Sequence, residues 1–177
     1  TRIEDKNGVP IFEVIPKTSD VLSEEAAYVT LNLMEGVTNY GSGGRLRHSG
    51  LEKTSYIYKN LITGYPYEFK NAIAGKTGTT QNQSDGWFMG MVPNLVTGVW
   101  VGGEDRSVHF EDIAFGQGAT MALPIWAQFM KNAYSNPDLG ISDEKFQSPR
   151  VLTIPLNCEN INIESETKKK DLEDLGF

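Results

Sequence analysis

A single cysteine, Cys158, stands in the 177 residues, which excludes an internal disulfide. No histidine or basic residue stands beside it to activate the thiol. Two histidines, His48 and His109, with so little cysteine are too few for a zinc site; both lie in polar, loop-like surroundings and read as surface or structural positions. Positive charge is not in excess: 16 Lys and Arg against 23 Asp and Glu give −7, which argues against nucleic acid as a partner. No apolar run approaches the ~20 residues of a membrane span. No initiator methionine and no signal peptide precede Thr1-Arg2, so we read a piece excised from a longer chain, and the absence of an anchor here says nothing of its parent. No internal repeat is present.

The remaining composition is that of a globular protein, with 39% hydrophobic and 22% charged residues, long enough for one domain or part of a larger one. We assign residues 1–158 to that domain and 159–177 to a charged, flexible tail. Asn7-Gly8 predicts a hairpin turn, with Ile11, Phe12, Val14 and Ile15 in its second arm until Pro16. Ser23, followed by Glu24 and Glu25, predicts a capped helix running to about Thr38, broken by Gly41-Ser42-Gly43-Gly44. Residues 48–71 show no clear period; a short helix near 53–62 is the reading there. Three strands are expected at about 72–80, 86–92 and 96–102, the last two joined at Pro93-Asn94 as an antiparallel hairpin. Their nearly continuous apolar content predicts cover by helices on both faces. A polar, glycine-rich loop over 104–119 leads to a helix after Thr120, with Pro124 in its first turn and Ile125, Trp126, Phe129, Met130 and Ala133 on the face that meets the sheet. Val151-Leu152-Thr153-Ile154 reads as a short strand. The class is α+β (α/β in composition), an antiparallel sheet flanked by helices.

The most informative stretch is Ala74-Gly75-Lys76-Thr77-Gly78-Thr79-Thr80. Side chains alternate along a strand, so Thr77 and Thr79 point one way and Lys76 and Gly78 the other. Two hydroxyls two residues apart can hold a substrate carboxylate, and a nearby ammonium supplies positive potential and supports proton transfer. Gly78 leaves room for a close neighbour. The Thr79 N–H can serve as an oxyanion donor, worth about 3–4 kcal/mol in a complete acyl-transfer site, and a peptide can lie along the strand. A phosphate loop ending Gly75-Lys76-Thr77 is excluded because position 70 is Lys70, not glycine.

In order and spacing, the run from this strand through Asp85-Gly86-Trp87-Phe88-Met89-Gly90-Met91-Val92-Pro93-Asn94 to Val99-Trp100-Val101-Gly102-Gly103 resembles the transpeptidase domain of class A penicillin-binding proteins. Gly41-Ser42-Gly43, the Gly116-Gln117-Gly118-Ala119-Thr120 entry to the last helix, and Arg2-Ile3-Glu4-Asp5 with Asn7-Gly8 are similar to the same family, so the resemblance covers about residues 1–135. It implies part of a penicillin-binding, serine β-lactamase-like fold. The implied enzyme cross-links peptidoglycan through a serine acyl-enzyme and works outside the cytoplasmic membrane. Its parent chain would carry a glycosyltransferase domain and a membrane anchor. The implied partners are the D-Ala-D-Ala stem peptide and β-lactams, with no cofactor and no metal. Carried onto this chain, the site residues are Lys76, Thr77, Gly78 and Thr79. Thr77 and Thr79 would hold the carboxylate, Lys76 would tune the electrostatics, and Thr80 would stand at the rim of the substrate site. Asp85 and Trp87 read as structural.

The departure from the pattern is that Ser-x-Asn does not occur and Ser-x-x-Lys does not precede Lys76. Ser142-Asp143-Glu144-Lys145 spells the latter, but after the strand and in a polar stretch where its lysine cannot be desolvated to act as a base. The nucleophile is therefore expected upstream of Thr1, and this chain is expected to be inactive alone. Two alternatives stay open: a class D-type β-lactamase or penicillin-sensor fragment, and a noncatalytic peptide-binding module.

Overall fold

The computed structural model describes residues 2–15, 17, 19–47 and 65–156. The helix expected near 53–62, His48, Cys158 and the tail lie outside them. The first hairpin pairs β1 (Arg2–Glu4) with β2 (Pro10–Glu13). Its turn is held by the Asp5 carboxylate, which accepts from the amides of Asn7 and Val9.

Helix α1 (Glu24–Asn39) begins as its sequence predicts: the Ser23 hydroxyl accepts from the Ala26 amide at 3.1 Å, with Glu24 and Glu25 in the first turn. Strands β3 (Ala74–Thr79), β4 (Asp85–Val92) and β5 (Leu95–Gly102) then form an antiparallel sheet in that order, with β3 at one edge. The β4–β5 turn is Pro93-Asn94, leaving Val92 opposite Leu95. A short helix α2 (Ile113–Gly116) precedes the long helix α3 (Gly118–Tyr134). The mixed α+β class with an antiparallel sheet is as expected.

Four details differ from the expectation. The loop at 104–119 contains α2, and α3 starts at Gly118, not after Thr120, so Pro124 sits inside the helix. Interior proline costs about 3 kcal/mol; α3 tolerates it because Pro124 is itself buried in the face packed on the sheet. That face is rotated toward its small residues: Ala119, Ala122, Leu123, Trp126, Ala127, Met130 and Ala133 are buried, while Ile125 and Phe129 stay 51% and 50% exposed. Close approach of helix to sheet selects alanine, which a count of large apolar residues does not register. The third difference concerns cover. Both helices meet one face of the sheet: α3 lies over Phe88 and Gly90, and the Thr38 methyl of α1 faces the Cβ direction of Gly75. On the opposite face Trp87 and Trp100, cross-strand partners, remain 45% and 46% exposed. Finally, residues 151–154 are not a strand. The Glu25 carboxylate accepts from the Thr153 and Ile154 amides and the Thr153 hydroxyl, giving those N–H groups a partner without a ladder.

The core sits between α3 and the covered face. Trp126 packs edge-on against Phe88 (5.2 Å between ring centroids), joined by Leu46, Ile73, Val92, Leu123 and Met130. Gly90 is required here: a Cβ would overlap the indole of Trp126. Thr38 is fully buried and satisfied, donating to the Ile73 carbonyl at 2.6 Å.

Candidate functional site: the Lys-Thr-Gly edge

Strand β3 pairs with β4 on one side only among the described residues. Just past its end, the Thr80 amide donates to the Asp85 carbonyl at 3.1 Å, directly opposite in the register. Hydrogen-bonded and non-bonded pairs alternate along an antiparallel ladder. Gly78, Lys76 and Ala74 are thus the residues bonded to β4. Gly75, Thr77 and Thr79 turn their N–H and C=O groups toward the edge. The Thr79 N–H is therefore aimed outward, free of the sheet.

The side chains follow the expected alternation. Thr77 and Thr79 share the face of Phe88 and Gly86, their cross-strand partners, and Gly78 and Lys76 share that of Trp87 and Met89. Lys76 and Thr79 are exposed and Thr77 is half-buried, so both hydroxyls are within reach of solvent. The Lys76 ammonium curls round to the edge and donates to the Thr77 carbonyl at 2.8 Å. Cation, hydroxyls and an outward amide thus line one strand edge that is open among the described residues.

Each threonine hydroxyl is also held from behind. Thr77 Oγ1 lies 2.6 Å from Ser42 Oγ, and Thr79 Oγ1 accepts from the Gly118 amide at 3.0 Å, at the first residue of α3. Gly118 cannot be another residue, because a Cβ would overlap the carbonyl oxygens of Gly78 and Trp87. Arg45, three residues past Ser42, donates to Thr120 Oγ1 at 2.7 Å and ties that turn to α3. Neither Ser42 nor Gly118 is identifiable as a site residue from its own surroundings. The visible signals are the glycine clusters at 41–44 and 116–118, which belong to the family resemblance and mark close backbone approach without saying to what. Thr80 faces a different network: its hydroxyl contacts Ser84 Oγ (3.0 Å) and Asp85 Oδ2 (3.3 Å) and accepts from the Asp85 amide (3.0 Å). It borders the edge while holding the β3–β4 connection.

The Ser142-to-Lys145 stretch lies on irregular backbone, far along the chain from the edge. The Ser142 hydroxyl accepts from the Glu144 amide and its own amide donates to Asn94 Oδ1, so it braces the β4–β5 turn. His109 is exposed, its Nδ1 3.0 Å from the Phe110 carbonyl. A cavity of about 650 Å³ between α1 and residues 143–146 is lined by Glu35, Arg47, Lys70 and Asn71. Burial pushes the Glu35 carboxyl up, against the pull of Arg47 and Lys145, and pushes the Arg47 guanidinium down. Arg47 donates through its terminal nitrogens to the Phe69 and Asn71 carbonyls and to Thr38, a structural use that leaves its buried Nε without a partner among the described residues. Among the described residues no three His, Cys, Asp or Glu side chains gather as a metal site, and no helix is long and apolar enough to cross a membrane.

No family model matches the chain. Comparison with curated proteins does match it. It is 28% identical over 169 residues to penicillin-binding protein 1A of Aquifex aeolicus, covering 94% of this chain. It is 30% identical over 135 residues to penicillin-binding protein 1A of Clostridium tetani, and 30% over 153 residues to penicillin-binding protein 2D of Bacillus subtilis, covering 76% and 86% of this chain. The chain belongs to the class A penicillin-binding proteins. Among solved structures, penicillin-binding protein 1A from Haemophilus influenzae shares the fold over 84% of this chain, with a TM-score of 0.55 at 22% identity. These penicillin-binding proteins are much longer: the chain spans 19%, 15% and 19% of the three curated relatives and 24% of the solved chain.

Proposed function

We propose that residues 1–158 form the part of a peptidoglycan D,D-transpeptidase domain that carries the Lys-Thr-Gly wall of the active site, with 159–177 as an appended tail. The observation that carries this reading is the open edge of β3, where two hydroxyls, an ammonium and an outward amide converge. Thr77 and Thr79 hold the terminal carboxylate of a D-Ala-D-Ala stem peptide, or the carboxylate of a β-lactam that mimics it. Charge-assisted hydrogen bonds to a carboxylate are the stronger kind. Lys76 raises the local positive potential. The outward Thr79 N–H supplies one donor to the oxyanion that forms when a serine attacks the acyl carbon. Gly78 leaves the acyl group room to lie against the strand.

The serine nucleophile and its lysine base belong to another part of the parent protein, which works outside the cytoplasmic membrane and is anchored there. Neither serine motif of this chemistry occurs in the 177 residues at a position ahead of Lys76, so the chain alone neither acylates nor cross-links. Labelling with fluorescent penicillin followed by denaturing electrophoresis tests this directly. The full-length parent is expected to be labelled and this chain is not. A covalent label on the chain itself overturns the assignment of the nucleophile to the rest of the parent.

A further inference from the structure

The hydroxyl–hydroxyl contact between Ser42 and Thr77 has a polarity that the bare Lys-Thr-Gly motif does not specify. At 2.6 Å one of the two oxygens donates and the other accepts. A hydroxyl has one proton. If Thr77 donates to Ser42, it has only lone pairs left to present at the edge, and these repel an anion. If Ser42 donates to Thr77, the Thr77 proton is released toward the edge. Thr79 already stands in the second arrangement, because an amide N–H can only donate and the Gly118 amide bonds its oxygen. Its proton is thereby free to point at a ligand.

From this geometry we infer that Ser42 is a positioning residue that sets the direction of the Thr77 proton and so favours a free carboxylate over a neutral carboxamide at the end of the acyl donor. The inference rests on the transpeptidase reading above and adds a residue to it. Ser42 is exposed and lies in the turn after α1, far in sequence from β3. Its hydroxyl is close enough to donate to Thr77 at 2.6 Å, which leaves the Thr77 proton for an anion at the edge. An anion at Thr77 draws the pair into the state in which Ser42 donates, and the chain of donors strengthens each bond in it. A carboxamide oxygen accepts the same proton but is neutral, so it gains only the weaker, uncharged hydrogen bond. Two features brace Ser42 in reach of Thr77: Gly43 is buried against Val37 and Thr38, and Arg45 is bonded to Thr120.

The test uses the full-length parent and two acyl donors that differ only in their C-terminus, a D-Ala-D-Ala peptide acid and its amide, with the acylation rate constant kcat/KM read for each. Removing one charge-assisted hydrogen-bond relay is expected to lower the rate for the acid about tenfold. Ser42→Ala is therefore expected to cut the acid's rate by about that factor while the amide's changes less than about twofold, and Ser42→Thr, which keeps the hydroxyl, is expected to restore the acid-to-amide ratio. An equal loss for both donors in Ser42→Ala marks a merely structural role and overturns the inference, as does an unchanged ratio. Wild-type parent that no penicillin acylates sinks the transpeptidase reading and this inference with it. A wild type that acylates normally, with a ratio indifferent to Ser42, sinks the inference alone.

Discussion

The two faces of the β3–β5 sheet carry similar apolar residues and meet different fates. On one, Phe88 and Val92 lie under Trp126 and the alanines of α3. On the other, Trp87, Met89, Trp100 and Val96 remain open among the described residues. Composition does not separate them, since each strand reads as almost continuously apolar. What separates them is the pleat, which sends alternate residues to opposite sides, and the placement of both helices on a single side. Apolar content states a demand for cover, while the fold decides which face receives it. The glycines record the outcome: Gly90 stands where the indole of Trp126 presses on the sheet, and Gly98, opposite Met89 on the other face, meets only a flexible thioether.

This contrast can be broken by substitution, beginning in the covered core. Trp126→Ala is expected to destabilise the fold by about 3–5 kcal/mol, the range for removing a buried tryptophan. Trp100→Ala on the open face is expected to cost less, about 1–2 kcal/mol, because close to half of that side chain's surface is already in water. Urea unfolding midpoints of the two variants compare them, and equal losses would show the open face to be covered in solution. Gly90→Ala comes next, with an expected loss of about 2–3 kcal/mol from overpacking against a ring that cannot retreat. Gly98→Ala is the control, expected below about 1 kcal/mol because the Met89 thioether can turn aside. A thermal melt of both variants ranks them.

Smaller effects are expected where the covered face ends and the open edge of β3 begins. In the parent enzyme, Thr77→Val keeps shape and removes the hydroxyl. It is expected to lower penicillin acylation about tenfold, with stability changed by less than about 0.5 kcal/mol; stopped-flow acylation alongside unfolding separates the two. The smallest lies at the periphery. Hydrogen bonds from the Ile154 amide, then from Thr153, hold the exposed Glu25 carboxyl below its ordinary value of 4.5. A carboxyl whose folded pKa is depressed contributes stability above its unfolded pKa and loses it as pH falls through the folded one. Once its intrinsic pH dependence is divided out, amide hydrogen exchange at Thr153 and Ile154 is thus expected to be protected at pH 6 and to lose that protection below the ordinary carboxylate range. Glu25→Gln is expected to quicken it at pH 6; exchange indifferent to both changes would detach Glu25 from that role.

Much of the fold is legible in the order of residues. The Ser23 cap, the three strands and the Pro93-Asn94 turn all rest on local rules, in which a residue's own conformational preference decides. The start of α3 is less legible, because Gly118 takes its place from contact with β3 and β4 and not from neighbours in the chain. The same holds for residues 151–154, whose β-branched pattern suits a strand but whose amides are taken by Glu25, 128 and 129 positions away.

The candidate site divides in the same way. Lys76, Thr77, Gly78 and Thr79 form one short word, and strand alternation alone places the two hydroxyls together and the lysine opposite. That much the order of residues settles, because the period of a strand is a property of the backbone. Which groups stand behind those hydroxyls was decided only by the fold. Ser42 and Gly118 lie 35 and 39 residues from their threonine partners, and nothing local links them. They meet because α1 ends and α3 begins at the same edge of the sheet, and a hydrogen bond acts only over the last few ångströms that tertiary packing sets.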